Sequence, residues 1–582
     1  MSIWKKLNYI FTKEQKIKLV LLFFMIVIGT FAELIGVTSI LPVIQVATEP
    51  EVPQNNLLIN ICVNVFGCNT TAELLFTLAL FILFIFVVKN IYIVVMYAVQ
   101  YEFIYNNQQL LASRLIRSYM KKPYIFHLSK NSAELQRNIN VDTNQFFAVV
   151  MNALQIIIDV LLIGVLFLYL LFTDIIMTLV SMTFVLFFMA AYYKWSKKKI
   201  RDYGEQGHDA YAKMVQYISQ AFDGIKEIKV AGKEKFFGNL YTKEYHKYME
   251  ANKKQSIYNT IPKYLLEAVA IGGIMLVIMV KVQTGSDMTS LVSNLSVFAV
   301  AVFKLVPSAN RINGSINGVL FQLPSVNTIY EDLCEIQDVE NSDVQSTENA
   351  EDITFEKELK VKNLWYRYPN VEHYVLEEAA LEIPRGSAVA FIGESGAGKT
   401  TLADIILGVL RPEKGEILAD GKSIYCNLRG WQNRLGYVPQ NIFLLDDTIR
   451  NNITFGLTED EVDEQALWRA IEQAQLKEYI CSLEDGIDTM VGERGIRMSG
   501  GQRQRLGIAR ALYHDPELLV MDEATSALDH ETEQAVMESI EALYGKKTLI
   551  IIAHRLSTIE KCDITYEIEN KKVKIRHRSE KE

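Results

Sequence analysis

With 582 residues the chain is too long for one hydrophobic core and is expected to divide into several domains. Half of its residues are hydrophobic and its formal net charge is -9, a balance that argues against a nucleic-acid binder with a basic face. Long apolar runs dominate up to about residue 330, whereas the remainder reads as soluble α/β sequence with charges, turns and short strands.

Leu19 to Ala47 is apolar apart from Glu33, which exceeds the ~20 residues that cross a ~30 Å hydrocarbon layer. Further spans are predicted at Leu74 to Val99, Phe146 to Phe172, Ile175 to Trp195, Tyr264 to Val280 and Leu291 to Val306. The first is not a signal peptide, because its apolar region is too long and no small-residue cleavage site follows. Lys5, Lys6, Lys13, Lys16 and Lys18 precede the first span, and Arg114, Arg117, Lys121, Lys122, Lys130 and Arg137 follow the second. A basic stretch from Lys194 to Lys233 separates the fourth from the fifth, while residues 48 to 73 carry no Lys or Arg. By the positive-inside rule this is a multi-pass protein with both termini in the cytoplasm.

In the first outside loop Cys62 and Cys68 leave a disulfide and two free thiols equally open. Cys334, Cys426, Cys481 and Cys562 are not at zinc or redox spacing and read as reduced thiols. The apolar stretch Leu57 to Phe66 is too short to span; it reads either as a surface helix where a polyprenyl tail could dock or as a packing helix. Met214, Ile218, Phe222 and Ile225 recur at helical spacing, as expected if the membrane helices continue inward to meet a cytoplasmic domain, a simple surface helix being the alternative. Residues 1–335 are therefore assigned to a transmembrane domain, the acidic stretch 336–352 to a linker and 353–582 to the soluble domain.

The soluble domain opens with chemistry. Ala388 to Ile392 is a short apolar run, followed by Gly393, Glu394, Ser395, Gly396, Ala397, Gly398, Lys399 and Thr400, then by Thr401 to Leu407 with helical character. A strand, a glycine-rich loop and a helix in that order make a phosphate loop: backbone N–H groups and the helix N-terminus surround phosphates, Lys399 neutralises their charge and Thr400 can ligate magnesium. Leu518 to Met521 reads as a buried strand ending in Asp522 and Glu523, placed so that Asp522 can hold Mg²⁺ through water and Glu523 can polarise an attacking water. Ser499, Gly500, Gly501 and Gln502 precede a helix predicted over Arg503 to Leu512, a second helix start able to bind phosphate.

In combination these motifs resemble the nucleotide-binding domain of ATP-binding cassette (ABC) transporters, over about residues 352–575. The resemblance implies a membrane all-α, six-helix exporter-type domain joined to an α/β phosphate-loop domain that hydrolyses ATP with Mg²⁺. It implies that Tyr368 stacks on adenine and that Gln440 reaches the magnesium. It further implies that Ser499 to Gln502 contact the ATP of a partner subunit, that Asp529 links the two sites and that His554 contacts the γ-phosphate. Val491 to Gly495 is similar to the loop that exporters place against their cytoplasmic helices. Met498 stands where the family usually has leucine, a near-isosteric change. With one cassette per chain, the resemblance implies a homodimer with two equivalent sites.

Ionisable residues inside apolar spans are costly, and here they are Glu33, Lys89, Asp159, Glu267 and Lys304, with Arg311 just beyond the last span. Lys89 and Lys304 either snorkel to an interface or, with Arg311, line a cavity whose positive charge would suit a phosphate or pyrophosphate. The segment Lys304 to Ile312 and the opening Thr12-Lys-Glu are similar to bacterial flippases for lipid-linked oligosaccharides of protein glycosylation. That likeness implies a polyprenyl-pyrophosphate glycan, or another anionic lipid, exported across the bacterial inner membrane. Lysine at positions 89 and 304, where the flippases it resembles favour arginine, keeps the charge but loses the bidentate grip. Export of lipid A, phospholipid, drugs or peptides is the alternative, and an ATP-gated receptor or channel regulator is the rival of another class.

Overall fold

A computed structural model describes residues 3–39, 42–43, 46, 59, 70–173, 175–283, 288–346, 352–369, 371–523, 530–553 and 559–578. It contains two compact units: residues 1–122 with 127–340, and residues 341–582 with the short insertion Pro123–Phe126.

The first unit is helical: α1 (Ile3–Ile10), α2 (Lys13–Thr38), α3 (Thr71–Lys121), α4 (Tyr124–Ser129), α5 (Ser132–Arg137), α6 (Thr143–Thr173), α7 (Ile175–Asp223), α8 (Ile225–Ala231), α9 (Glu234–Gln283), α10 (Met288–Phe321) and α11 (Leu323–Ser346). The six predicted spans fall on α2, α3, α6, α7, α9 and α10. Among the described residues four stretches are long and apolar enough to cross a membrane: Lys13–Gly36, Thr71–Lys121, Ser132–Phe172 and Thr178–Asp223. At ~1.5 Å per residue the 51 residues of α3 reach ~75 Å, far beyond a ~30 Å hydrocarbon layer, so the helix must extend well outside it. Helix α3 starts on a capping box in which Thr70 and Glu73 satisfy each other's backbone N–H groups. Helix α2 stops at Thr38 rather than running on to Ala47, with the Thr38 and Ser39 hydroxyls turned back onto the Ile35 and Gly36 carbonyls.

Ile26, Met96 and Leu154 bury together where α2, α3 and α6 meet, and Leu162 and Leu166 pack with Leu34 and Leu305. Gly204 lets α7 approach the end of α10, since a Cβ there would collide with the Phe321 carbonyl. Ile59, the described residue of the apolar Leu57 to Phe66 stretch, is buried with Val46, Leu74 and Leu78, as a packing role requires; Cys62 and Cys68 lie outside the described residues. The helical stripe is interrupted at Gly224: Met214 is buried, while Ile218, Phe222 and Ile225 are exposed on this chain. Helix α11 carries helical structure into the acidic stretch as far as Ser346, and residues 347–351 lie outside the described set.

One polar junction ties these helices away from the apolar packing. Residues Asn138–Asp142 form a π-helical turn between α5 and α6. The fully buried Asp142 carboxylate accepts from Arg137 Nε at 3.1 Å, His208 Nε2 at 3.0 Å and Ser325 Oγ at 2.7 Å. Beside it the Asp332 carboxylate accepts from Asn138 Nδ2 at 2.8 Å and from the Tyr119 hydroxyl.

The second unit holds β1 (Glu358–Tyr366), β2 (Leu376–Pro384), β3 (Ala388–Ile392), α12 (Lys399–Ile406), β4 (Lys414–Ala419), β5 (Lys422–Ser423), α13 (Leu428–Gln432), β6 (Leu435–Val438), α14 (Ile449–Thr454), α15 (Glu464–Gln473), α16 (Lys477–Ser482), α17 (Gly500–Leu512), β7 (Leu518–Asp522), α18 (His530–Glu541), β8 (Thr548–Ile552), β9 (Ile564–Glu569) and β10 (Lys572–Arg578). A four-stranded antiparallel sheet runs β2-β1-β4-β5, and a six-stranded sheet runs β10-β9-β3-β8-β7-β6. In the larger sheet β9, β3, β8, β7 and β6 are parallel, and β3, β7 and β8 are buried along their whole length, which is why they read as unbroken apolar runs. Trp431 and Phe355 fill the core on one side of this sheet, against which Ile125 of the insertion also packs.

Candidate functional site

The phosphate loop leaves the carboxyl end of β3, where α/β sheets place their ligands. Gly393, Gly396 and Gly398 take φ of 143°, 81° and 105°, and a Cβ on Gly393 would collide with the Ile568 carbonyl, so the tight turn needs glycine there. Helix α12 starts at Lys399 with no side chain capping it, which leaves its first N–H groups pointing at the loop. Lys399 is buried, and its ammonium donates to the Gly393 and Glu394 carbonyls at 2.9 Å each. Burial pulls the Lys399 ammonium below its usual range, an effect opposed by the nearby Glu523 and Asp522 carboxylates.

Strand β8 lies between β3 and β7 in the sheet, yet the loop after β3 and the end of β7 converge. The Thr400 hydroxyl donates to Asp522 Oδ2 at 3.1 Å, and Gln440 Nε2 donates to Glu523 Oε2 at 2.7 Å. Glu523 itself has a left-handed backbone, φ 47°, and its N–H donates to the Ile552 carbonyl at 3.1 Å. Tyr368 follows β1; its ring meets Tyr366 edge-on and its hydroxyl shares a 3.1 Å hydrogen bond with Thr401. Asp529 and His554 lie outside the described residues. The oxygen donors of Thr400, Asp522 and Gln440 fit Mg²⁺, a hard cation that takes one or two protein ligands and keeps the rest of its shell for water and phosphate.

Ser499 caps α17, which begins at Gly500 and not at Arg503 as the sequence suggests. The Ser499 hydroxyl accepts from the Gln502 N–H at 3.2 Å, and Gln502 Oε1 accepts from the Ser499 N–H at 2.8 Å. Those side chains serve their own helix and do not reach the phosphate loop of this chain. Arg503 donates to the Gly495 and Met498 carbonyls, so the Val491 to Gly495 loop is fastened to the same helix start. Met498 is 6% exposed and packs in the core as a leucine would.

Sequence reasoning passed over two residues near this site. Asp404 on α12 is part-buried beside Asp522, and burial with that neighbouring charge pushes its carboxyl up to about 6. Arg510 on α17 donates to the Phe443 carbonyl and the Asn452 carbonyl, both at 2.7 Å, and so clasps the segment that follows Gln440. Burial lowers its guanidinium to about 10. An Arg facing two carbonyls leaves no signal in a single sequence.

In the helical unit the three cations proposed to line a cavity are not bare. Glu33 Oε2 lies 3.2 Å from Lys89 Nζ and 3.3 Å from Lys304 Nζ, so one carboxylate is shared by two lysines. The fully buried Asp159 accepts from Arg311 Nε at 3.0 Å and from Gln155 Nε2 at 2.7 Å. Lys89 is buried, which removes it from direct contact with a ligand, while Lys304 and Arg311 keep 37% and 47% of their side-chain surface.

The profile of the ABC transporter family matches residues 376–526, and that of the ABC transporter transmembrane region matches residues 15–303. The chain belongs to the ABC transporter family. Among curated relatives it is 38% identical over 250 residues to an uncharacterized ABC transporter ATP-binding protein, YwjA, of Bacillus subtilis, covering 43% of each chain. It is 34% identical over 391 residues to an ATP-dependent lipid A-core flippase of Francisella tularensis subsp. holarctica, covering 65% of this chain and 61% of that one. These matches span less than two thirds of each relative's own length. A solved bacterial Atm1-family ABC exporter with ATP bound has the same fold, with a TM-score of 0.73 and 22% identity over 96% of this chain and 94% of that one. The chain thus joins an ABC transporter transmembrane region to one ABC transporter cassette, on the fold of the Atm1-family structure.

Proposed function

We propose that two copies of this chain form an ATP-driven exporter that flips a phosphate-bearing glycolipid across a bacterial inner membrane, with both termini in the cytoplasm. In the cassette Lys399 and the α12 N-terminus would hold the phosphates, Thr400 and Asp522 the magnesium, and Tyr368 the adenine. Glu523 would draw a proton from the attacking water while Gln440 orients that carboxylate, with His554 at the γ-phosphate. Bound by Thr400 and Asp522, magnesium would supply neutralisation of phosphate charge. Because Ser499 and Gln502 cap their own helix, the free N–H groups of that helix start are available to a nucleotide bound by the other copy, with Asp529 between the two sites.

The observation that carries the cargo reading is the pair of half-exposed cations on α10. Lys304 and Arg311 are seven residues apart, which places them on one helix face, and with Lys89 they outnumber the carboxylates that neutralise them. Within this cluster, which does not include Glu267 of α9, three cations share two carboxylates, and a surplus positive charge there suits a phosphate or pyrophosphate and is wasteful for a neutral drug. A lipid-linked oligosaccharide is the cargo suggested by the segment Lys304 to Ile312; a lipid A-core glycolipid is favoured by the names of several relatives.

Proteoliposomes with either labelled glycolipid, supplied with ATP, separate these. Movement of one label and not the other is expected; no movement of either, with ATP hydrolysis intact, would remove the glycolipid assignment. If changing Lys89, Lys304 and Arg311 together to glutamine leaves transport at the parent rate, the phosphate reading fails while the ATPase reading stands.

A further inference from the structure

We propose a lipid site in the crevice between α7, α9 and α10, holding an acyl chain of an anionic phospholipid from the cytoplasmic leaflet. The cavity measures about 280 Å³ and is lined by Phe188, Tyr192 and Trp195 of α7, Pro262 and Leu265 of α9, and Asn313 of α10. It rests on the membrane assignment of these helices and not on the identity of the cargo.

The surface it presents is wholly apolar. Pro262 lacks the N–H that would bond the Tyr258 carbonyl four residues back, and that carbonyl is served instead by the Tyr192 hydroxyl and by Asn317 Nδ2. The backbone break is therefore fully accounted for. Asn313 is 3% exposed and its amide nitrogen is buried behind the wall, out of reach of an occupant. A water held among hydrocarbon walls needs two to four polar partners, and this surface offers none. A fatty acyl chain, which fills apolar volume and asks for no hydrogen bond, meets that demand.

The rim supplies the charge preference. Lys194, Lys197, Lys198 and Lys199 crowd the turn that follows the cavity on α7, with no acidic residue between Ile175 and Arg201. Lys199 Nζ sits 4.6 Å from the ring centroid of Trp195, a wall residue, and Lys263 adjoins Pro262 on the facing helix. The acids nearest in sequence are Glu267, next to the wall residue Leu266 on α9, and Asp202 and Glu205 on α7, the latter held by Arg201, and the five lysines outnumber them. An aromatic edge followed by snorkelling lysines is what a cytoplasmic interface selects, and such lysines attract anionic headgroups.

The test uses the full-length protein in nanodiscs of phosphatidylcholine doped with phosphatidylglycerol that carries a diazirine in its acyl chain. After irradiation, adducts should concentrate on residues 188–195 and 261–266, several-fold above the exposed reference segment 83–88 of α3. Ala191→Trp, which fills the crevice, should reduce them severalfold, as should the smaller filling change Ala191→Leu if the larger residue impairs folding. Lys199→Glu should lower labelling by the anionic probe about fivefold and leave a phosphatidylcholine probe unchanged. Adducts spread evenly over the lipid-facing helices, or unchanged in both crevice variants, overturn the site. So does a cross-link to the second copy from a photoreactive residue at position 191, which would make the occupant a partner helix. Displacement of the probe by glycolipid cargo and not by unlabelled phosphatidylglycerol would assign the crevice to a cargo tail and reject the phospholipid.

Discussion

Glu523 shows how local backbone strain serves the cassette. A non-glycine residue at φ 47° is held there only where its surroundings demand it, and here its N–H is tied to Ile552 and its carboxylate to Gln440. Glu523→Gln keeps the shape but removes the base, so ATP should still bind while hydrolysis falls by about 10²–10⁴; parallel nucleotide-binding and phosphate-release assays check both halves. Lys399→Ala should instead abolish turnover by weakening phosphate binding, which normal turnover in that variant would contradict. Asp404 gives a pH signature. Its folded pKa of about 6 lies above the ordinary aspartate value of 3.8, so the folded state holds more protons between those values and loses stability as pH rises through them. Asp404→Asn, which is never charged, is expected to raise the thermal midpoint at pH 7.5, with the gain vanishing below about pH 4. The group is part-exposed, so the gain should be modest.

Among the elements, α17 and the π-helical turn do the organising. Arg510 joins α17 to the segment after Gln440, and Arg503 joins its start to the Val491 to Gly495 loop, so both segments are fastened to one helix. Arg510→Ala would leave the Phe443 and Asn452 carbonyls without this donor and is expected to cut the hydrolysis rate with little change in nucleotide affinity, read as a drop in kcat at near-constant KM. The buried Asp142 fastens α5, α7 and α11 through Arg137, His208 and Ser325. Asp142→Ala strands those partners and should cost about 3–5 kcal/mol, seen as a lowered unfolding midpoint, with Asp142→Asn milder. Much at this scale was legible beforehand. Strands β3 and β7 are buried on both faces and so appear as plain apolar runs, with Lys399, Thr400, Asp522 and Glu523 at their ends. The start of α17 was misplaced because Gly500 and Gly501 look like breakers, although Ser499 and Gln502 form a capping box that the spacing alone could have revealed. Pairs such as Glu33 with Lys89 and Lys304, separated by 56 and 271 residues, are set by helix packing and were visible only as isolated charges.

At the scale of the whole molecule the proposed homodimer requires that two cassettes share two nucleotides. In one chain Ser499 and Gln502 cap α17 and bond to each other, while Lys399 and Thr400 open α12 beside Asp522 and Glu523, so on the proposed function each chain would carry two half-sites of different kinds. If the proposed homodimer pairs them crosswise, every working site needs Lys399 from one copy and Ser499 from the other. Exposed Phe222, Ile225 and Val230, at 68%, 44% and 84% of their full surface, suit such pairing because apolar side chains at a helix break favour a covering partner. Complementation decides the matter. Lys399→Ala dimers and Ser499→Arg dimers should each be inactive, yet a mixed dimer of the two retains one site with an intact Lys399 facing an intact Ser499. Co-expression with two different affinity tags and sequential purification isolates that mixed dimer. It should recover ATP hydrolysis well above either parent variant, up to about half the unmodified rate if the two sites work independently. Sites built within single chains would leave both halves of the mixed dimer broken, and an inactive but folded mixed dimer would therefore reject the crosswise arrangement.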